Sequence, residues 1–114
     1  MESLNRGDAV RLTGGRIGLI LSSRKAIDSP RPFVVLALFE PGAKSTGASE
    51  LEVGPGSHSH RELPIEMDGV FRVDRPLTVD RSAITERIGA GTPKMLLRME
   101  ETIQETLLDY MRPK

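Results

Sequence analysis

Residues 8–23, Asp8-Ala9-Val10-Arg11-Leu12-Thr13-Gly14-Gly15-Arg16-Ile17-Gly18-Leu19-Ile20-Leu21-Ser22-Ser23, decide the fold class. Two apolar segments, 8–13 and 16–23, flank Gly14-Gly15, the pattern of an antiparallel hairpin closed by a two-residue turn. In that register Thr13 faces Arg16, Leu12 faces Ile17 and Val10 faces Leu19. Val10, Leu12, Ile17, Leu19 and Leu21 then share one face, and Arg11, Thr13 and Arg16 share the other. The expectation is a hairpin with one buried and one solvated face, because side chains alternate across a strand.

Outward from the hairpin, residues 24–32 form a polar loop that ends in the stiff turn Pro30-Arg31-Pro32. The continuous apolar run 33–39 suits a strand buried on both sides, and Pro41-Gly42 ends it. Residues 42–60 are rich in Gly, Ser and Thr, with a short edge strand predicted at 49–53. Leu63, Ile65 and Met67 alternate, as do Phe71 and Val73, with Asp68-Gly69 between them. A three-residue loop there sets Met67 opposite Phe71 and Ile65 opposite Val73, so a bulged or longer turn is predicted. Residues 77–79 form a last short strand. Ser82 is positioned to cap a short helix over 83–88 that stops at Gly89. Thr92-Pro93 is a strong start for a longer one, with Leu96, Met99, Ile103, Leu107 and Tyr110 as its apolar stripe. The order predicts one domain over 1–114: a mainly β fold, a small curved barrel over 5–81, followed by a short helix over 82–89 and a terminal helix over 92–111.

Composition narrows the function classes. Among 114 residues, 16 Lys and Arg balance 16 Asp and Glu, which argues against holding nucleic acid by bulk charge. A local basic patch remains open, since residues 1–35 carry six basic side chains against three acids. Cysteine is absent, which excludes disulfides, a thiol nucleophile and thiolate metal sites and suits a reducing cytoplasm, the expected location. With three Phe, one Tyr and no Trp, a base-stacking platform is not expected to dominate binding. The segment 1–6 has no apolar h-region, so no signal peptide is expected. The longest apolar run, 33–39, falls well short of the ~20 residues a membrane helix needs. No Walker loop, dinucleotide fingerprint, GxSxG elbow or HExxH occurs.

Two segments carry a family resemblance. Arg6-Gly7-Asp8 opens the first strand, and Gly15-Arg16-Ile17-Gly18-Leu19-Ile20-Leu21-Ser22 follows. Further on stands Phe71-Arg72-Val73-Asp74-Arg75-Pro76-Leu77-Thr78-Val79-Asp80-Arg81-Ser82-Ala83-Ile84-Thr85-Glu86-Arg87-Ile88-Gly89. In order and spacing these resemble MazF/PemK (Kid)-type toxins of type II toxin–antitoxin systems. The resemblance implies an SH3-like barrel, a homodimer, and a sequence-specific endoribonuclease that cleaves single-stranded RNA without metal or cofactor. It also implies a cognate antitoxin whose disordered acidic tail folds onto the dimer. The family's cleavage arginine maps onto Arg16. Its hydroxyl, after the third strand, does not map cleanly: that place reads Glu40-Pro41-Gly42, and the nearest hydroxyls are Ser45 and Thr46. The family's long gating loop between the first two strands is here only Thr13-Gly14-Gly15, while 42–60 is longer than the usual connection. Gating moves to 42–60, or activity is lost. The alternative is thus a degenerate barrel that binds an antitoxin, nucleic acid or a protein target, as CcdB-type toxins bind gyrase.

Cleavage by attack of the RNA 2′-hydroxyl needs a base, an acid and a cation on the phosphorane. Arginine suits the last role, because its planar fork grips two phosphate oxygens. Arg16 is the expected catalytic cation and Ser45 or Thr46 the expected hydroxyl, with Arg11, Thr13, Arg24 and Lys25 as expected binding residues. His58 and His60, two apart, would face one side of a strand and serve as acid and base or as binding groups; two ligands do not make a metal site. Arg72, Arg75 and Arg81, interleaved with Asp74 and Asp80, read as a solvated, self-paired face. Met95, Leu97, Leu108 and Met111 widen the apolar surface of the last helix and predict a dimer contact.

Overall fold

The computed structural model describes residues 4–42, 50–53, 69–73, 75–91 and 93–111. Seven strands form one antiparallel arrangement: β1 (Ala9–Leu12), β2 (Ile17–Ile20), β3 (Phe33–Pro41), β4 (Glu50–Val53), β5 (Gly69–Arg72), β6 (Leu77–Asp80) and β7 (Ile84–Gly89). Helix α1 (Arg24–Asp28) lies between β2 and β3, and α2 (Pro93–Met111) follows β7. The strand order is β4-β5-β3-β2-β1-β7, with β6 on β3 beside this path. The pairings trace an open path, where the sequence led us to expect a barrel.

The hairpin forms, in a register one residue from the expected one. Ala9 pairs with Leu19, Val10 with Gly18 and Arg11 with Ile17. The loop takes three residues, 13–15. Gly14 and Gly15 both have positive φ, +92° and +87°, which glycine adopts without steric cost. Thr13 is drawn out of the ladder: its N–H donates to the Ala83 carbonyl at 2.8 Å and its hydroxyl to the same oxygen at 3.2 Å. A slip of one residue exchanges faces along one strand relative to the other. Leu19 and Leu21 therefore share a core with Ala9, Phe39, Phe71, Met95 and Met99. Val10, Leu12 and Ile20 join Leu36, Val34, Ile27 and Ile84 on the opposite side. The hairpin has no wholly solvated face; both are covered.

Strand β3 meets the expectation of two-sided burial, with Val34 and Leu36 in one core and Ala37 and Phe39 in the other. Its edges are used as fully. Residues 36–38 pair with β2, residues 33–36 with β6 and residues 39–41 with β5. The predicted edge strand is β4, which among the described residues pairs with β5. The predicted strand at 63–67 and its turn at 68 lie outside the described residues.

The short helix over 83–88 is corrected. A single 3₁₀ turn, Arg81–Ala83, is capped by Asp80, and β7 begins at Ile84. Ser82 caps no helix, because both its N–H (3.0 Å) and its hydroxyl (2.9 Å) donate to Asp80 Oδ1. Ile84, Thr85 and Ile88 are β-branched and favour a strand, and the free edge of β1 supplies the partner. At the inner end of that pair Arg87 Nε reaches Asp8 Oδ2 at 3.0 Å, where Asp8 is fully buried and also accepts the Asn5 N–H at 2.7 Å.

Helix α2 starts as predicted, although its expected cap, Thr92, is outside the described residues. Met95, Met99 and Thr102 form its buried line, with Leu96 and Ile103 half-buried beside it. The Thr102 hydroxyl is satisfied by the Arg98 carbonyl one turn back, at 2.8 Å. Gly7, at φ +86°, lets the helix close in: a Cβ there would collide with the Leu96 side chain.

Two outcomes follow for stability. Asp8→Ala removes the buried carboxylate that binds Arg87 and accepts the Asn5 N–H, and should lower the unfolding free energy by about 2 kcal/mol, measured by urea titration; a loss near zero would mean the pair does not hold β7 to β1. Asp80 carries a carboxyl held below its ordinary value by the backbone N–H and then the hydroxyl of Ser82. Its charged form is favoured by folding, so this contribution is complete at neutral pH and is lost as pH falls through the lowered value. Carboxyl NMR should show the low midpoint, and Ser82→Ala should move it back toward that of an ordinary aspartate.

Candidate functional site

Arg16 closes the hairpin turn and is exposed just ahead of β2. Continuing the register from Gly18 opposite Leu38 sets Arg16 opposite Glu40, near the end of β3. On the other edge Glu40 pairs with Val70 of β5, and β5 ends at Arg72. The chain then turns tightly, with the Arg75 N–H donating to the Arg72 carbonyl at 3.1 Å. A cleft of about 320 Å³ lies between these segments, lined by Arg16, Leu38, Phe39, Glu40, Arg72 and Arg75.

Local packing fixes the walls. Gly69 brings β5 against β3 so closely that a Cβ would collide with the Glu40 carbonyl and the Phe39 ring. Phe39 and Phe71 pack their rings at 5.4 Å, tilted by 58°, beneath the cleft. Arg72 Nε lies 3.3 Å from Glu40 Oε2, with the arginine mostly buried and the carboxylate 55% exposed. Three arginines and one carboxylate thus line a cleft with an apolar floor, and Arg72 is ion-paired with the carboxylate. Such a site favours an anion with oxygens to spare, above all a phosphodiester, since each guanidinium offers a planar fork of donors.

Of the residues expected to act, Arg16 stands in this cleft. Arg11 lies on the β1–β7 side, with Nε 2.9 Å from Glu86 Oε1 and Nη1 donating to the Gly15 carbonyl at 3.4 Å. Thr13 is spent on Ala83. Arg24 and the exposed Lys25 open α1, which follows the far end of β2 from Arg16. Ser45, Thr46, His58 and His60 lie outside the described residues. Arg72 and Arg75, read from the sequence as a solvated face, are the residues that join Arg16, while Arg81 turns to the α1 carbonyls of Ala26 and Ile27. The available signal was the alternation in Phe71-Arg72-Val73: with Phe71 and Val73 in the core, Arg72 must project from the opposite face. Among the described residues no group of three or more His, Asp or Glu could hold a metal, and no helix is long and apolar enough to cross a membrane.

No family model matches the sequence, and no curated protein matches it. Solved structures do match. An endoribonuclease from a mycobacterial species superposes with a TM-score of 0.73 at 19% identity, over 94% of this chain and 93% of the other. A mycobacterial endoribonuclease in complex with its cognate antitoxin gives 0.72 at 18%, over 97% and 99%. MazF from Deinococcus radiodurans, in a MazE–MazF crystal, gives 0.70 at 22%, over 94% and 98%. At these identities the likeness bears on architecture, and it covers both chains almost end to end: an antiparallel sheet with a C-terminal helix, this chain has the fold of the MazF endoribonuclease toxins.

Proposed function

We propose that this chain, as one domain, is the toxin of a toxin–antitoxin pair and cleaves single-stranded RNA by attack of a ribose 2′-hydroxyl on the adjacent phosphate. The observation that carries this reading is the gathering of Arg16, from the β1–β2 turn, and Arg72 and Arg75, from the end of β5, into one cleft. Full-length likeness to endoribonuclease toxins supports it. Arg16 is assigned the role of stabilising the charge that builds on the phosphorane, and Arg72 and Arg75 that of holding the substrate backbone. The chemistry needs neither metal nor cofactor, because guanidinium supplies the positive charge. We read the sheet as an SH3-like barrel organised around β3, which serves β2, β5 and β6 at once. The cytoplasm, where single-stranded RNA is at hand, is the matching location. An antitoxin with an acidic tail is the matching partner, since the same arginines that hold phosphate also hold carboxylates. Ser45, Thr46, His58 and His60 remain proposed contributors from the 42–60 segment, as do Arg11, Thr13, Arg24 and Lys25 along the path of the RNA. A homodimer uses the outer side of α2, where Leu97 is 60% exposed.

Incubation with a long single-stranded transcript should yield fragments ending in 2′,3′-cyclic phosphate, undiminished by a chelator. Arg16→Ala should cut the rate by about 100- to 1,000-fold and relieve growth arrest on expression, with the fold intact. A wild-type chain that cleaves no RNA and arrests no growth would remove the nuclease reading and leave a binding module on the same fold. Sedimentation should show a dimer that Leu97→Lys weakens; a wild-type monomer would end that assignment.

A further inference from the structure

Glu40 is out of place in a cleft built for phosphate. Of the described side chains that line it, three are guanidiniums, two are apolar, and Glu40 is the one carboxylate. A carboxylate there repels the anion the arginines attract, so its presence calls for a task that offsets the lost affinity. Its geometry suits one. Glu40 projects near the end of β3, opposite Arg16 in the continued β2–β3 register, and forms an ion pair with Arg72, whose Nε lies 3.3 Å from one of its oxygens. More than half of the side chain is exposed, which leaves the carboxylate open to an incoming ribose. Backbone placement is firm on both edges, through Val70 on one and the β2 register on the other.

We infer that Glu40 is the general base of the reaction, with Arg72 as the positioning residue that orients its carboxylate. The inference rests on the nuclease reading above. In the step, the O2′–H bond breaks and its proton passes to the Glu40 carboxylate. The freed electron pair of O2′ forms the bond to phosphorus, and the P–O5′ bond breaks. The departing O5′ takes a proton from water, and Glu40 returns its own to solvent. Atoms and charge balance as an internal transesterification, giving a 2′,3′-cyclic phosphate and a 5′-hydroxyl with no other reactant. Arg16, across the cleft, faces the phosphate charge while Glu40 faces the sugar.

The test uses the full chain, a long single-stranded RNA transcript as substrate, and a 2′-O-methyl RNA of the same sequence as the binding probe. Glu40→Gln should lower cleavage by ~100-fold or more, the usual yield of a positioned base. Removing a negative charge from the cleft should leave binding of the 2′-O-methyl RNA equal or tighter. The wild-type rate should fall in acid as the base is protonated, and the residual rate of E40Q should lack that limb. Glu40→Asp, which keeps the carboxylate on a shorter arm, should recover part of the rate together with the limb. An E40Q chain that cleaves at the wild-type rate would overturn the inference and leave the arginine cleft standing. Weakened probe binding in proportion to the lost rate would also overturn it, because Glu40 would then only support Arg72. Should E40Q not fold, the acid limb and the reduced rate of E40D decide, and an E40D rate equal to wild type overturns it. A wild type that cleaves nothing would overturn both this inference and the nuclease reading.

Discussion

Strand β3 is covered on both faces and paired along both edges, and every other element is placed by that demand. Its run of apolar side chains cannot leave either face in water, so one core forms beneath α2 and another beneath α1. Its two edges cannot leave N–H and C=O groups unpaired in that interior. One edge takes β2. The other is divided, with β6 along residues 33–36 and β5 along residues 39–41. Between them, at Ala37 and Leu38, neither strand pairs with β3 on that edge. The chain crosses the gap by the turn that follows β5, and Leu38 forms part of the cleft wall there. The candidate site is thus a consequence of the sheet's division and needs no added loop to create it.

The far border of the sheet is held by a different kind of contact. Pairing of β1 with β7 is broken by two register shifts, so the backbone ladder there is irregular. The buried Asp8–Arg87 pair fixes β7 where the ladder is weakest, and the same Asp8 ties down the Asn5 N–H. Gly7, one residue earlier, is what lets α2 settle on the sheet. The motif Arg6-Gly7-Asp8 therefore serves architecture in this chain: the glycine admits the helix and the aspartate anchors the last strand. Arg6 completes it from outside, 3.7 Å from Glu100 on α2, an exposed pair of small energetic weight.

The first three strands, the edge strand and the start of the last helix were legible because their signals are local, whereas helix α1 lies in the segment expected as a polar loop and β7 in the one expected as a helix. The apolar run at 33–39, the hairpin glycines and the Thr92-Pro93 start each act over a few residues. What was illegible depended on partners distant in sequence. Thr13 leaves the hairpin ladder for a carbonyl seventy residues away, which its N–H and hydroxyl both reach, and the register of β1 against β2 is shifted by one. Residues 84–89 have a helix-compatible spacing but become a strand because β1 presents an open edge. The site shows the same division. Arg16 was legible from a motif, whereas Arg72 and Arg75 looked self-paired until the pairing of β5 with β3 brought them across from it.

Placing an active carboxylate among arginines also carries an electrostatic logic. Of the three arginines that line the cleft with Glu40, Arg72 is ion-paired with it. The cleft then holds a net excess of positive charge smaller than its arginine count suggests. Such local balance also fits a chain whose total charge is zero: attraction for an anion is concentrated in one concave place, over an apolar floor of Leu38 and Phe39, where salt screens it less than on an open surface.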